Sequence, residues 1–145
     1  MVDLQLIQSK IYEIRGQRVM LDFDLAQMYG TETKVLKQAV KRNIKRFPTD
    51  FMFELNKEEF EFLRSQFVTS NQRGGTRYMP FAFTEQGVAM LSSILNSEVA
   101  IEINISIMRA FIAVRQLIAN PPPDKHSLLQ KEVKELKQYI EEIFT

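Results

Sequence analysis

No cysteine occurs in this chain of 145 residues. That excludes a disulfide framework, thiolate metal sites and thiol catalysis, and it suits a reducing compartment. Histidine is nearly absent: His126 stands alone, so imidazole metal clusters and histidine-based nucleophile activation have little to draw on. The HExxH, GxSxG and phosphate-binding-loop patterns are also missing. No apolar run approaches roughly 18 residues, and no N-terminal stretch has the basic-apolar-small order of a secretory signal. These absences together lead us to expect a cytoplasmic protein without membrane span, cofactor, metal or catalytic residue. An excess of one charge is lacking too, with 19 Lys+Arg against 18 Asp+Glu, so the chain as a whole has no drive toward nucleic acid. Hydrophobic residues at 45% are enough for a core and argue against disorder.

The balanced charge is unevenly placed. TKVLKQAVKRNIKRFP, residues 33–48, holds Lys34, Lys37, Lys41, Arg42, Lys45 and Arg46 with no acidic residue from Lys34 to Arg46. A helix tuned only for stability carries Glu–Lys pairs four residues apart, and this one has none. An apolar back with a cationic front attracts a phosphate backbone.

Residues 12–21 form two β-prone arms around Arg15-Gly16-Gln17 and predict a short hairpin. Asp22 is a candidate N-cap for a helix that stops at Gly30, and Thr33 is a candidate cap for the next, which must end before Pro48. Residues 51–56 read as a strand, and Asn56 with Glu59 makes a capping box for a third helix. Residues 78–83 read as a strand that Pro80 confines to an edge or a bulge. Thr84 caps a further helix. Residues 98–119 fit both a strand and two helical faces; the length decides for a central helix buried on more than one side. Asn120-Pro121-Pro122-Pro123-Asp124 is a stiff spacer. Beyond it Leu129, Val133, Leu136, Ile140 and Ile143 recur at alternating four- and three-residue spacings, a heptad seam that favours a parallel homodimer. The seam runs nearly to Thr145, which raises the expectation that the natural chain continues.

Residues 24–43 fit a helix-turn-helix: Ala26 as the small contact residue, Gly30 at the turn, Leu36 packing back on the first helix. Val35, Leu36, Ala39, Val40 and Ile44 then fall on the packed side, and Lys34, Lys37, Gln38, Lys41 and Lys45 on the open one. Gln38 is the candidate for a base-edge contact. Arg73 and Arg77, in a glycine-bearing loop, are candidate backbone contacts. The plain alternatives are a solvated lysine face and a surface loop charged for solubility.

The runs IRGQRVMLDFDLAQMYG, VKRNIKRFPTDFMFEL, RYMPFAFTEQGVAMLSSIL and NISIMRAFIAVR, across residues 11–117, resemble the ORF-six-N domain family of phage proteins. VKRN-x-x-RFP and FTEQGVAMLSS are the specific signatures. The resemblance implies kinship with the KilA-N and Bro-N domains of phage antirepressors, and a DNA-binding domain followed by a variable C-terminal region. Thr31 departs from the family's usual valine after the glycine.

The expected protein is α+β and predominantly helical, with a helix-turn-helix core, a short β-hairpin and small antiparallel strands. Its organisation is an N-terminal segment 1–10, a DNA-binding domain 11–119, a linker 120–124 and a coiled-coil helix 125–145. The expected function is double-stranded DNA binding by a phage-type transcriptional regulator that forms a homodimer. The alternative is a protein-interaction module that binds and inactivates a repressor.

Overall fold

The computed structural model describes residues 3–66, 78–119 and 125–144. The elements run α1 (Leu4–Ser9), β1 (Tyr12–Ile14), β2 (Gln17–Leu21), α2 (Asp22–Tyr29), α3 (Thr33–Arg42), a 3-10 turn (Ile44–Arg46), β3 (Met52–Glu54), α4 (Lys57–Gln66), β4 (Phe81–Thr84), α5 (Glu85–Leu95), α6 (Glu98–Ala119) and α7 (Lys125–Phe144). The fold is α+β and mostly helical, as the sequence implied. Contacts divide it into two units, Met1–Ala113 and Val114–Thr145.

In the first unit an antiparallel sheet is ordered β1-β2-β4-β3. The hairpin between β1 and β2 turns on Arg15 (φ 56°) and Gly16 (φ 74°). Two consecutive positive-φ residues make the type I′ turn whose twist matches that of the strands. Arg15 bears the cost of a left-handed backbone, and its guanidinium is held by Glu59, Nε to Oε2 at 2.7 Å, and lies over the Phe53 ring at 4.4 Å.

Side chains alternate across the sheet, and both faces are covered. Val19, Leu21, Phe53 and Ala82 meet Phe60 and Leu63 of α4. Met20, Met52, Phe81 and Phe83 meet Leu25, Leu36, Val40, Val88, Ile107 and Phe111 from the other helices. Helices on both sides explain why β4 is buried at all four positions. Ile7 of α1 is fully buried in the larger cluster, so the first ten residues contribute to the core.

Two sequence expectations need correction. The strand after Pro80 is an inner strand, paired with β2 and β3. Pro80 precedes it, so its missing N–H removes no ladder bond, and its carbonyl accepts from Leu55 N–H at 3.0 Å. The second concerns α6. It buries one stripe, Ala100, Asn104, Ile107, Ala110 and Phe111, while Val99, Ile101, Ile105 and Ile112 are exposed. The layer beneath α6 covers one side only.

Two of the four caps expected from the sequence form, at Asn56 and Thr84. Asn56 and Glu59 exchange backbone-to-side-chain bonds at 2.9 and 2.8 Å. Thr84 Oγ1 accepts from Gly87 N–H at 3.3 Å. Asp22 and Thr33 are instead the first residues of their helices, after the cap positions Leu21 and Glu32.

In the second unit α7 carries Leu129, Val133, Leu136, Ile140 and Ile143, all exposed. The 120–124 spacer and the His126 side chain lie outside the described residues.

Candidate nucleic-acid interface

The pairing of α2 with α3 follows from local chemistry. After α2 the chain reverses at Gly30, whose φ of 75° is left-handed and suits a residue without a Cβ. Thr31 N–H donates to the Ala26 carbonyl at 2.9 Å and Gly30 N–H to the Gln27 carbonyl at 3.2 Å. These two bonds close the last turn as a Schellman motif. Ala26 is buried, which lets α2 and α3 approach, and Leu36 and Val40 of α3 are buried without residue.

About 100° per residue places Leu36 and Val40 on one side of α3 and Lys34, Gln38 and Lys41 on the opposite side. Lys34, Gln38, Lys41, Arg42, Lys45 and Arg46 are all exposed. No ion pair to Lys34, Lys41, Arg42 or Lys45 occurs among the described residues. Arg46 donates from Nη1 to Ser93 Oγ at 3.1 Å, which ties the end of this segment to α5. Asn43 turns inward: its Nδ2 donates to the Ala39 carbonyl at 2.9 Å and caps α3.

Lys37 stands apart from the other lysines. It lies at the margin of the buried side, with its side chain 15% exposed. Its Nζ donates to the Met79 carbonyl at 2.9 Å, pairs with Asp22 Oδ2 at 3.6 Å and sits 4.5 Å from the centre of the Phe81 ring. Asp22 Oδ2 also accepts from Phe81 N–H at 2.9 Å. One carboxylate in the first turn of α2 therefore links α3 to β4. Burial raises the pKa of Asp22, and the Phe81 N–H and Lys37 only partly offset it. Nearby, Asp24 is pushed up to about 6 by burial, with Lys10 at 3.8 Å opposing and Asp22 adding to the shift.

The expected apolar side of the helix is also narrower than its spacing implies. Val35 is 48% and Ile44 53% exposed. Val35 borders the cationic ridge, a position that sequence periodicity assigned to the core. Arg73 and Arg77 lie outside the described residues. Tyr78, where the described chain resumes, is exposed with its ring 5.8 Å from Lys37 Nζ.

The two sequence signatures have structural roles beside the charges. In VKRN-x-x-RFP, Val40 and Phe47 are core and Phe47 meets the Phe83 ring edge-on at 5.9 Å. In FTEQGVAMLSS, Gly87 lies against the backbone of Phe51: a Cβ there would stand 1.9 Å from the Phe51 carbonyl oxygen. The sequence model of the ORF6N domain matches residues 9–94. The chain belongs to the ORF6N family. That range takes in the sheet, α2, α3 and all but the last residue of α5, so the ORF6N region supplies both the cationic ridge and the layer that orients it. Membership points to a phage-type protein. No curated protein and no solved structure matches the chain. In the described residues no helix is long and apolar enough to cross a membrane.

Proposed function

We propose that this chain binds double-stranded DNA through the outward ridge of α3, as part of a phage-type transcriptional regulator that pairs through α7. The supporting observation is the exposed set Lys34, Gln38, Lys41, Arg42 and Lys45, which carries four positive charges in a stretch with no acidic residue from Lys34 to Arg46. A helix-turn-helix whose second helix presents such a ridge can lie along a major groove, with lysines on phosphates and Gln38 directed at base edges. Val35, beside that ridge, suits contact with a thymine methyl group. The exposed heptad stripe of α7 favours self-association, since burying Leu129, Val133, Leu136, Ile140 and Ile143 removes them from water. A binding protein without chemistry of its own is the reading that accords with these residues.

The exposed apolar residues Val35 and Ile44 favour a second reading, in which the same face binds a repressor protein. Lysine is depleted at protein interfaces, and lysine dominates here, so DNA ranks first. The deciding experiment is binding of the purified chain to random and phage-genomic duplexes across a salt series. DNA recognition by α3 requires affinity that falls log-linearly with salt, with a slope of about −0.9 per phosphate contacted. Absence of salt-dependent binding to any duplex, with capture of a phage repressor in its place, would make the second reading the correct one.

A further inference from the structure

The outer face of α6 carries apolar residues that the fold leaves uncovered. Ile101, Ile105 and Ile112 are exposed and Met108 is half-buried. Their spacings of four, three and four make a straight seam on the helix, offset from the stripe that packs inward. On one flank the seam borders Asn104 and, across a shallow groove, the small residues Ala89 and Ser92 of α5. Small side chains there let another helix approach closely. The other flank carries Glu102 and Arg109, both exposed and seven residues apart, too far along one helix to pair with each other.

We propose that this seam is a self-association surface on which the α6 helices of two copies pack antiparallel, about a two-fold axis passing between Ile105 and Met108. The charges select this occupant and this direction. In that arrangement Ile105 faces Met108 of the second copy, and Ile101 faces its Ile112. Each seam residue therefore meets another member of the same seam. The helix flank bearing Glu102 and Arg109 meets the same flank of the second copy. Glu102 then stands within about 3 Å along the axis of the opposing Arg109, from a rise of about 1.5 Å per residue, and the symmetry repeats the pair. A parallel arrangement, whose two-fold runs along the helices, would set this flank against the opposite one and leave Glu102 and Arg109 on different sides of the interface. The interface is isologous and closed, as self-complementary surfaces of soluble oligomers are. It is separate from the α7 stripe and adds to the pairing proposed for that helix.

The test uses the full chain carrying Leu136→Lys, so that α7 pairing is suppressed, and sedimentation equilibrium up to several hundred micromolar. The chain should still associate. Adding Ile105→Glu should leave a monomer with unchanged circular dichroism. Glu102→Arg alone and Arg109→Glu alone should each weaken association at least several-fold, and the double charge reversal should restore it. A Leu136→Lys chain that is monomeric throughout that range overturns the proposal. So does a double reversal no better than the single variants, because only the antiparallel register brings these two residues together. Failure of the α7 reading itself would show differently, as no loss of association from wild type to Leu136→Lys.

Discussion

Lys37 and Asp22 form an ion pair, 3.6 Å from Nζ to Oδ2, between α3 and the start of α2. The same carboxylate accepts from the Phe81 amide, so the pair sets α3 against the central strand of the sheet. A lysine within the most basic stretch of the chain thus orients the helix from beneath, and its neighbours supply the outward charge.

Lys37→Ala should therefore act on stability. It strands a buried carboxylate, which costs about 3 kcal/mol when one partner of such a pair is removed. Lys37→Met combined with Asp22→Asn should cost clearly less, because no uncompensated charge remains. Urea unfolding of the three chains checks this. If Lys37→Ala melts like wild type, the pair is not what holds α3.

The ridge makes a contrasting prediction for DNA. Replacing Lys34 and Lys41 together by Ala should leave stability within about 0.5 kcal/mol and flatten the salt slope by about two for each bound subunit. Gln38→Ala should alter preference among sequences more than it alters the slope. Fluorescence anisotropy at several salt concentrations separates the two effects. An unchanged slope for the double variant would remove α3 from the interface.

Asp24 gives a pH dependence with a definite sign. Its carboxyl is pushed up to about 6, and Oδ2 has no hydrogen-bond partner among the described residues. A folded-state pKa above the unfolded value means that stability is full below about pH 4 and declines as pH rises toward 6. The loss is on the order of 3 kcal/mol. Asp22 shifts in the same direction, so the informative comparison is between wild type and Asp24→Asn. The variant should show a flatter stability profile between pH 4 and 6 in urea titrations. Parallel profiles would show that Asp24 is not the titrating group.

Gly87→Ala tests the packing of α5 on the segment before β3. The new methyl would meet the Phe51 carbonyl, which already accepts from Thr84 N–H at 3.0 Å. Backbone on both sides leaves no flexible side chain to yield. A loss of about 3 kcal/mol is expected, at the upper end for overpacking. A thermal midpoint equal to that of wild type would contradict the close approach.

For α7, Leu136→Lys places a charge in the middle of the exposed apolar stripe. It should weaken self-association, read as a lower mass by light scattering, and reduce helical signal, because an isolated helix of this length is marginal in water. The first unit has its own core and should melt as before.

What the sequence determined by itself is local. The turn at Arg15-Gly16, the Gly30 reversal, the Asn56–Glu59 box and the Thr84 cap each depend on residues within a few positions of one another. Their backbone requirements can be read without knowing what packs where. The basic ridge was legible for the same reason, since helical spacing alone groups Lys34, Gln38 and Lys41. Tertiary structure decided which groups at the margins of a face are covered. Lys37 turns inward because Asp22, Met79 and Phe81 arrive there from distant parts of the chain. Val35 stays about half exposed because no described segment packs fully over it. Pro80 precedes an inner strand because β2 and β3 flank β4 from either side, and α6 keeps Ile101 and Ile105 in solvent because the core covers a single stripe. Periodicity gives an angle around a helix; burial at that angle depends on a neighbour that only the folded chain supplies.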